Sequence, residues 1–281
     1  MTQTDPSASP ASPASPALDA AHPIDVSVRA AVLGKLAALE HEAGVRILYA
    51  CESGSRGWGF ASPDSDYDVR FIYVRRLSDY LRITPVRDVI EETPGPVFDV
   101  NGWDLRKALQ LLANGNATLV EWLSSPVVYR QDEAFVSRLR QVAAAVYQPV
   151  RSFHHYYSMG RGNLRTYLCG DQVRAKKYLY VLRPLLAACW VLEREAAPPM
   201  AFEALVDALV HEPEVRDEIR QLLVLKRASG EQAWLPARPR LNAYLEHLLA
   251  RLAEAQPAVG RPPMEPLDAL LFDAVMELAP R

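Results

Sequence analysis

"ESGSRGWGFASPDSDYDVRFIYV", residues 52–74, joins a small-residue turn, a polar loop and two aspartates two positions apart to an apolar, β-branched run. The run from Asp66 to Val74 reads as a strand. Alternate side chains of a strand share a face, so Asp66 and Asp68 project the same way with Cα atoms about 7 Å apart. Two carboxylates that converged to roughly 4 Å would repel by about 4 kcal/mol at an effective dielectric of about 20. A chain that places them so needs a reason.

A bound Mg²⁺ removes that repulsion, and Mg²⁺ takes one or two carboxylates together with substrate phosphates. The residues just upstream suit the phosphate side. Gly54 and Gly57 let the backbone approach an anion, Ser55 offers a hydroxyl and an N–H, and Arg56 adds charge. A helix opening at this turn points its free N–H groups at the same anion. Asp64 and Ser65 close the loop. An isolated Asp-x-Asp is usually a solvated strand edge, and an isolated Gly-Ser is a turn. Here the pieces agree in order and spacing.

Outward from this stretch, residues 26–43 repeat apolar positions at helical spacing until Gly44. "VRILYAC", 45–51, reads as a strand, and "PVFDVNGW", 96–103, as a third one. Asp104 reads as the N-cap of "LRKALQLLA", and a short helix spans 117–123 after the "NGN" break. Beyond residue 133 strand signals vanish. Amphipathic stretches cover 134–147, 151–168, 172–195, 201–210, 212–228 and 239–255, with loops at 193–200 and 255–266. The expected fold is therefore α+β: a small mixed sheet flanked by helices over 25–132, then an all-helical domain over 133–281. Residues 1–24, rich in Pro, Ala and Ser, read as a disordered tail.

The 281 residues carry a net charge of −3, which gives no global argument for nucleic-acid binding. Three widely spaced cysteines form no CxxC pair, and the six histidines make no HExxH pattern, so neither zinc nor a disulfide framework is indicated. No signal peptide or membrane-spanning run is evident, and the expected location is the cytoplasm, with no membrane partner.

"GSRGWGFASPDSDYDVRFIYV" resembles the signature of the DNA polymerase β-like nucleotidyltransferase superfamily, a Gly-Ser at a helix start followed by an Asp-x-Asp strand. More narrowly the chain is similar to the YcgL-type nucleotidyltransferases, a branch associated with RNA repair; "NGWDLRKALQLLANGNATLVEWLSSPVVY", 101–129, and "KKYLYVLRPLLAACWVL", 176–192, carry that likeness. The resemblance implies a minimal nucleotidyltransferase domain and three metal-binding, catalytic carboxylates, here Asp66, Asp68 and Asp99 of "VFDV". Asp104 in "WDL" is the rival for the third place. It implies Mg²⁺ or Mn²⁺ as cofactor and a nucleoside triphosphate such as ATP as substrate. The nucleotide contacts would be Gly54, Ser55, Arg56 and Ser65. Transfer would occur at the α-phosphate, with two metals stabilising the attacking and departing oxygens.

In the helical half, residues 151–183 hold seven basic side chains against one acid, Asp171. Five tyrosines, Tyr156, Tyr157, Tyr167, Tyr178 and Tyr180, interleave with them. The pattern suits base stacking and phosphate neutralisation, and it equally suits core packing. The resemblance tilts Lys176 and Lys177 toward triphosphate contacts. Asn116 reads as a helix cap, and Glu121 as a tie between strand and helix. The acceptor is an RNA or tRNA-like end. The alternatives are a partner protein, modified as an antitoxin modifies a toxin, or a nucleotide-binding regulator without catalysis.

Overall fold

The computed structural model describes residues 24–92, 95, 97–229, 233–255 and 263–280. The tail, apart from Ile24, the start of the expected third strand at Pro96, and most of the loop expected at 255–266 lie outside the described residues.

Five strands form one sheet: β1 (Arg46–Glu52), β2 (Tyr67–Val74), β3 (Val89–Glu91), β4 (Phe98–Asp104) and β5 (Val128–Gln131), in the order β3-β4-β2-β1-β5. The β2–β4 pair is parallel and the other pairs are antiparallel. The fold is thus α+β with a mixed sheet and a helical C-terminal region. Short edge strands β3 and β5 join the three that periodicity shows, because four residues or fewer carry too little alternation to register.

Helix α1 (Val26–Ala43) covers one face of the sheet. Asp25 caps its start, accepting the Ser27 N–H at 2.7 Å, and Gly44 ends it in the left-handed region at φ +60°. Its Val32, Leu36 and Leu39 pack on Ile47, Val69, Phe71, Tyr73 and Val100. The opposite face is covered by α4 (Leu105–Ala113), α5 (Ala117–Leu123), α6 (Glu133–Ala145) and the final helix α12 (Glu265–Leu278), over Leu48, Tyr49, Cys51, Ile72 and Val74. Helices α6 and α12, both beyond residue 132, share this core with the sheet.

Two single turns, α2 (Gly54–Gly57) and α3 (Leu77–Tyr80), follow β1 and β2; α7 (Pro149–Tyr167), α9 (Phe202–Leu209), α10 (Pro213–Ser229) and α11 (Pro239–Ala253) pack around α8 (Ala175–Arg194) in a second core. One detail departs from an all-helical half. Gln172–Arg174 forms β6 and pairs antiparallel with β7, Trp234–Pro236, so the expected 172–195 stretch splits into a strand and α8. Pro184 lies inside α8 and frees the carbonyl of Tyr180. The Asn163 side chain of α7 donates to that oxygen at 2.8 Å, which lets the helix continue. Gly160 lets α7 approach; a Cβ there would lie 2.5 Å from Leu185.

Candidate active site

The turn after β1 is built around Asp68. The Asp68 N–H donates to Glu52 Oε1 at 2.8 Å, and the Ser53 N–H donates to the Asp68 carbonyl at 2.8 Å. Gly54 follows at φ +57°, and a Cβ on it would lie 1.9 Å from Asp68 Oδ2. Only glycine fits, both for the backbone and for the carboxylate that lies over it. Residues 54–57 make a single helical turn, α2, whose first N–H groups have no intrahelical partner. Ser55 is buried in this turn.

Parallel pairing sets Asp68 of β2 directly opposite Asp99 of β4. Arg70 lies between them: its Nη2 donates to Asp99 Oδ2 at 2.7 Å and to Asp68 Oδ1 at 3.2 Å. Burial raises the Asp68 carboxyl above the usual range; Arg70 opposes that rise, and the charges of Asp99 and Asp66 add to it. Asp66 is exposed and stands one residue ahead of β2, near enough for its charge to act on Asp68. Burial also pushes Glu52 up to about 7, against the Tyr129 hydroxyl and the Asp68 N–H, which favour its charged form.

Asp104 has a different role. It accepts the Arg106 N–H at 2.8 Å as N-cap of α4, accepts the Tyr80 hydroxyl at 3.0 Å and is buried, at the other end of β4 from Asp99.

Arg56 turns back on its own loop. Its Nη2 donates to the Ser65 carbonyl at 2.7 Å, its Nε to the Asp66 carbonyl at 3.3 Å, and its guanidinium lies 3.9 Å from the Tyr67 ring centroid. Ser65 is buried, and its Oγ accepts the Ser62 N–H at 3.0 Å. Arg56 and Ser65 thus shape the loop that carries Asp66.

Lys177 lies over Tyr167 at 3.6 Å from the ring centroid and over Tyr180 at 5.4 Å. Tyr180 meets Trp58 edge-on at 6.1 Å, so ring contacts connect Lys177 to the residue after α2. Lys176, next to it at the start of α8, is half-buried. Asn116 caps α5, accepting the Thr118 N–H at 2.8 Å. Glu121 does not tie strand to helix. It joins α5 to the helical half, accepting Arg183 Nη1 at 3.0 Å and the Tyr156 hydroxyl at 2.7 Å. Tyr156 and Tyr178 are core residues, which accounts for part of the aromatic pattern.

Three residues at the site escaped the sequence reading. Glu52 ends the apolar strand β1, a signal available in principle. Arg70 shares the strand face of Asp66 and Asp68 by simple alternation. Lys226 sits on the apolar stripe of Ile219, Leu222 and Leu223 in α10, where a lysine is out of pattern.

Among the described residues no three His, Cys, Asp or Glu side chains are gathered tightly enough to hold an ion. The donor chemistry nevertheless fits a hard divalent cation. Asp68 and Asp99 offer only carboxylate oxygens, and the pair already shares one positive charge, that of Arg70.

The family model described as "RNA repair pathway DNA polymerase beta family" matches residues 28–273 of this chain. "Uncharacterized protein YcgL" of Bacillus subtilis (strain 168) is 44% identical to it over 225 residues, which cover 80% of this chain and 86% of that protein. The match spans both the sheet and the helical half.

Proposed function

This chain belongs to the RNA repair pathway DNA polymerase beta family, and from that premise we propose that it is a metal-dependent nucleotidyltransferase acting on an RNA end. Family membership supports nucleotidyltransferase-type activity in general. The finer reading is that a nucleoside monophosphate passes from a triphosphate such as ATP to the acceptor, and pyrophosphate leaves. The observation that carries it is the pairing of Asp68 with Asp99 across parallel strands, with the carboxylate of Asp68 lying over Gly54.

Asp66, Asp68 and Asp99 would hold Mg²⁺ or Mn²⁺, which when bound supplies charge stabilisation for the attacking and departing oxygens. The protein's own part is positioning. The first N–H groups of α2 and the Ser55 hydroxyl receive phosphate oxygens. The α2 turn and β2 hold these groups beside Asp68, so little reorganisation accompanies reaction. Arg70 holds the two carboxylates together through its hydrogen bonds to both until the nucleotide arrives. Lys177, linked through Tyr180 and Trp58 to this turn, adds positive charge from the helical half.

Incubation with each α-labelled triphosphate, Mg²⁺ or Mn²⁺, and RNA, DNA or protein acceptors tests the reading. Label on RNA, lost in a folded Asp68→Asn variant, is the expected result. Label on protein would move the acceptor, and nucleotide binding without transfer to any acceptor would overturn the enzyme reading.

A further inference from the structure

We infer that Lys226 of α10 is a positioning residue for the carboxylate loop, through which the helical half sets the placement of Asp66 and Asp68. The inference rests on the nucleotidyltransferase reading above for its catalytic consequence, though not for its geometry.

Lys226 is wholly inaccessible to solvent although it belongs to α10, a helix of the core around α8 and not of the sheet's own cores. Its Nζ donates to Ser62 Oγ at 2.7 Å and to Ser65 Oγ at 3.1 Å. Those two serines close the loop on itself, since the Ser65 N–H donates to the Ser62 carbonyl at 3.0 Å. Asp66 follows Ser65 directly. Arg56 holds the carbonyls of Ser65 and Asp66, and Lys226 holds the Ser62 and Ser65 hydroxyls. Neighbouring anchors run the same way: Arg227 donates to the Gly59 carbonyl at 2.9 Å, and the Phe202 N–H to the Trp58 carbonyl at 3.0 Å. Segment 58–65 is thus tethered at Trp58, Gly59, Ser62 and Ser65 by α9 and α10.

Packing alone does not call for an ammonium here. Taking a charged group out of water is costly, and apolar residues of similar volume often replace buried ionic groups without loss of stability. A methionine on the stripe of Ile219, Leu222 and Leu223 would fill the space. The ammonium adds directed hydrogen bonding from a fixed point on α10, two of its bonds going to hydroxyls of the loop. Groups bonded directly to metal ligands typically change metal affinity or activity about 10–100-fold when removed, and Lys226 acts one residue away, through the Ser65 that precedes Asp66.

The test uses the full chain with Lys226→Met and Lys226→Gln, the second retaining a donor. Amide hydrogen exchange, Mn²⁺ titration by calorimetry and label transfer are measured on each. In Lys226→Met, exchange over residues 62–68 should accelerate at least about tenfold, while α4 and α11 exchange as in the wild type. Mn²⁺ affinity and kcat should each fall about tenfold or more. KM for the triphosphate should stay within about twofold, because the ammonium is behind the loop and not on the phosphates. Lys226→Gln should recover part of each loss. Unchanged exchange at 62–68 in a folded Met variant would overturn the inference. So would a rise in KM with kcat and exchange unaltered, which marks a direct phosphate contact. If the wild-type protein transfers no label to any acceptor, the nucleotidyltransferase reading fails, and the exchange and Mn²⁺ measurements still decide the role of Lys226.

Discussion

Replacing Gly54 by alanine should damage catalysis far more than stability. At φ +57° a side chain is strained, which costs about 1–2 kcal/mol. For a chain of this size that lowers Tm by roughly 2–8 °C, at about 2–4 °C per kcal/mol. The added Cβ would also lie 1.9 Å from Asp68 Oδ2, where ordinary contact begins at 3.4 Å, so the carboxylate must retreat by about 1.5 Å. Displacements of about 1 Å from productive geometry cost on the order of 10²-fold in rate. Label transfer should therefore fall at least about 100-fold in a protein that still melts cooperatively. Gly102→Ala is the control. Its Cβ would meet the Phe71 ring at 2.1 Å, on the α1 side of the sheet, so it should lose about 1–3 kcal/mol while each folded molecule turns over normally. A Gly54→Ala protein with wild-type transfer and wild-type Mn²⁺ affinity would refute the placement of Asp68 in the reaction.

Asp99→Asn should abolish transfer, whereas Asp104→Asn should cost chiefly a cap's worth of stability, about 1 kcal/mol, read from denaturant midpoints; the reverse order would exchange their roles. Lys177→Ala should weaken binding of a non-hydrolysable triphosphate, and the loss should shrink at high salt; an unchanged Kd at two salt concentrations removes α8 from the nucleotide site. Asn163→Ala removes the side-chain hydrogen bond to the Tyr180 carbonyl beside Pro184 and should cost about 0.5–1.5 kcal/mol in chemical denaturation with no change in KM. Maleimide near neutral pH should label Cys169, which is exposed, and spare Cys51 and Cys189 until the chain unfolds. Burial pushes the Cys51 thiol up to about 12 and raises that of Cys189, so neither supplies thiolate at working pH.

The sheet's three longer strands and the capped helices were legible because their signals are local. Period-two alternation marks 67–74, and Asp104 and Asn116 stand at helix starts with the side chains that capping needs. The Asp-x-Asp spacing carried the family likeness for the same reason. What stayed hidden depends on chain segments far apart in sequence. Arg70 reads as an ordinary strand residue until the β2–β4 register brings Asp99 beside it, 29 positions on. Glu121 looks like a helix-face carboxylate until α8 delivers Arg183, 62 positions on. Lys226 is harder still, because a lysine on an apolar stripe reads as a weaker helix and not as a buried tether 164 positions from Ser62. Ribbon β6–β7 fails for want of length, since three residues a side leave no period to detect.

The packing of α12 has a consequence for how the protein is made. Leu267, Leu270, Ala274 and Val275 close the sheet face that α4 and α6 leave partly open, and Asp273 pairs with Arg138 of α6. A ribosome delivers the chain in order. When Gln131 completes β5, every strand of the main sheet exists, yet the helix that seals it is still untranslated. At about 5–20 residues per second the wait to residue 265 is on the order of 7–27 s, during which α7 to α11 emerge and fold. For that interval the nascent protein carries Leu105, Leu109, Leu112 and their neighbours with one wall missing. A message cut short before codon 265 would release a chain with all its site carboxylates and an unsealed apolar face, a species for chaperones and proteases to meet first.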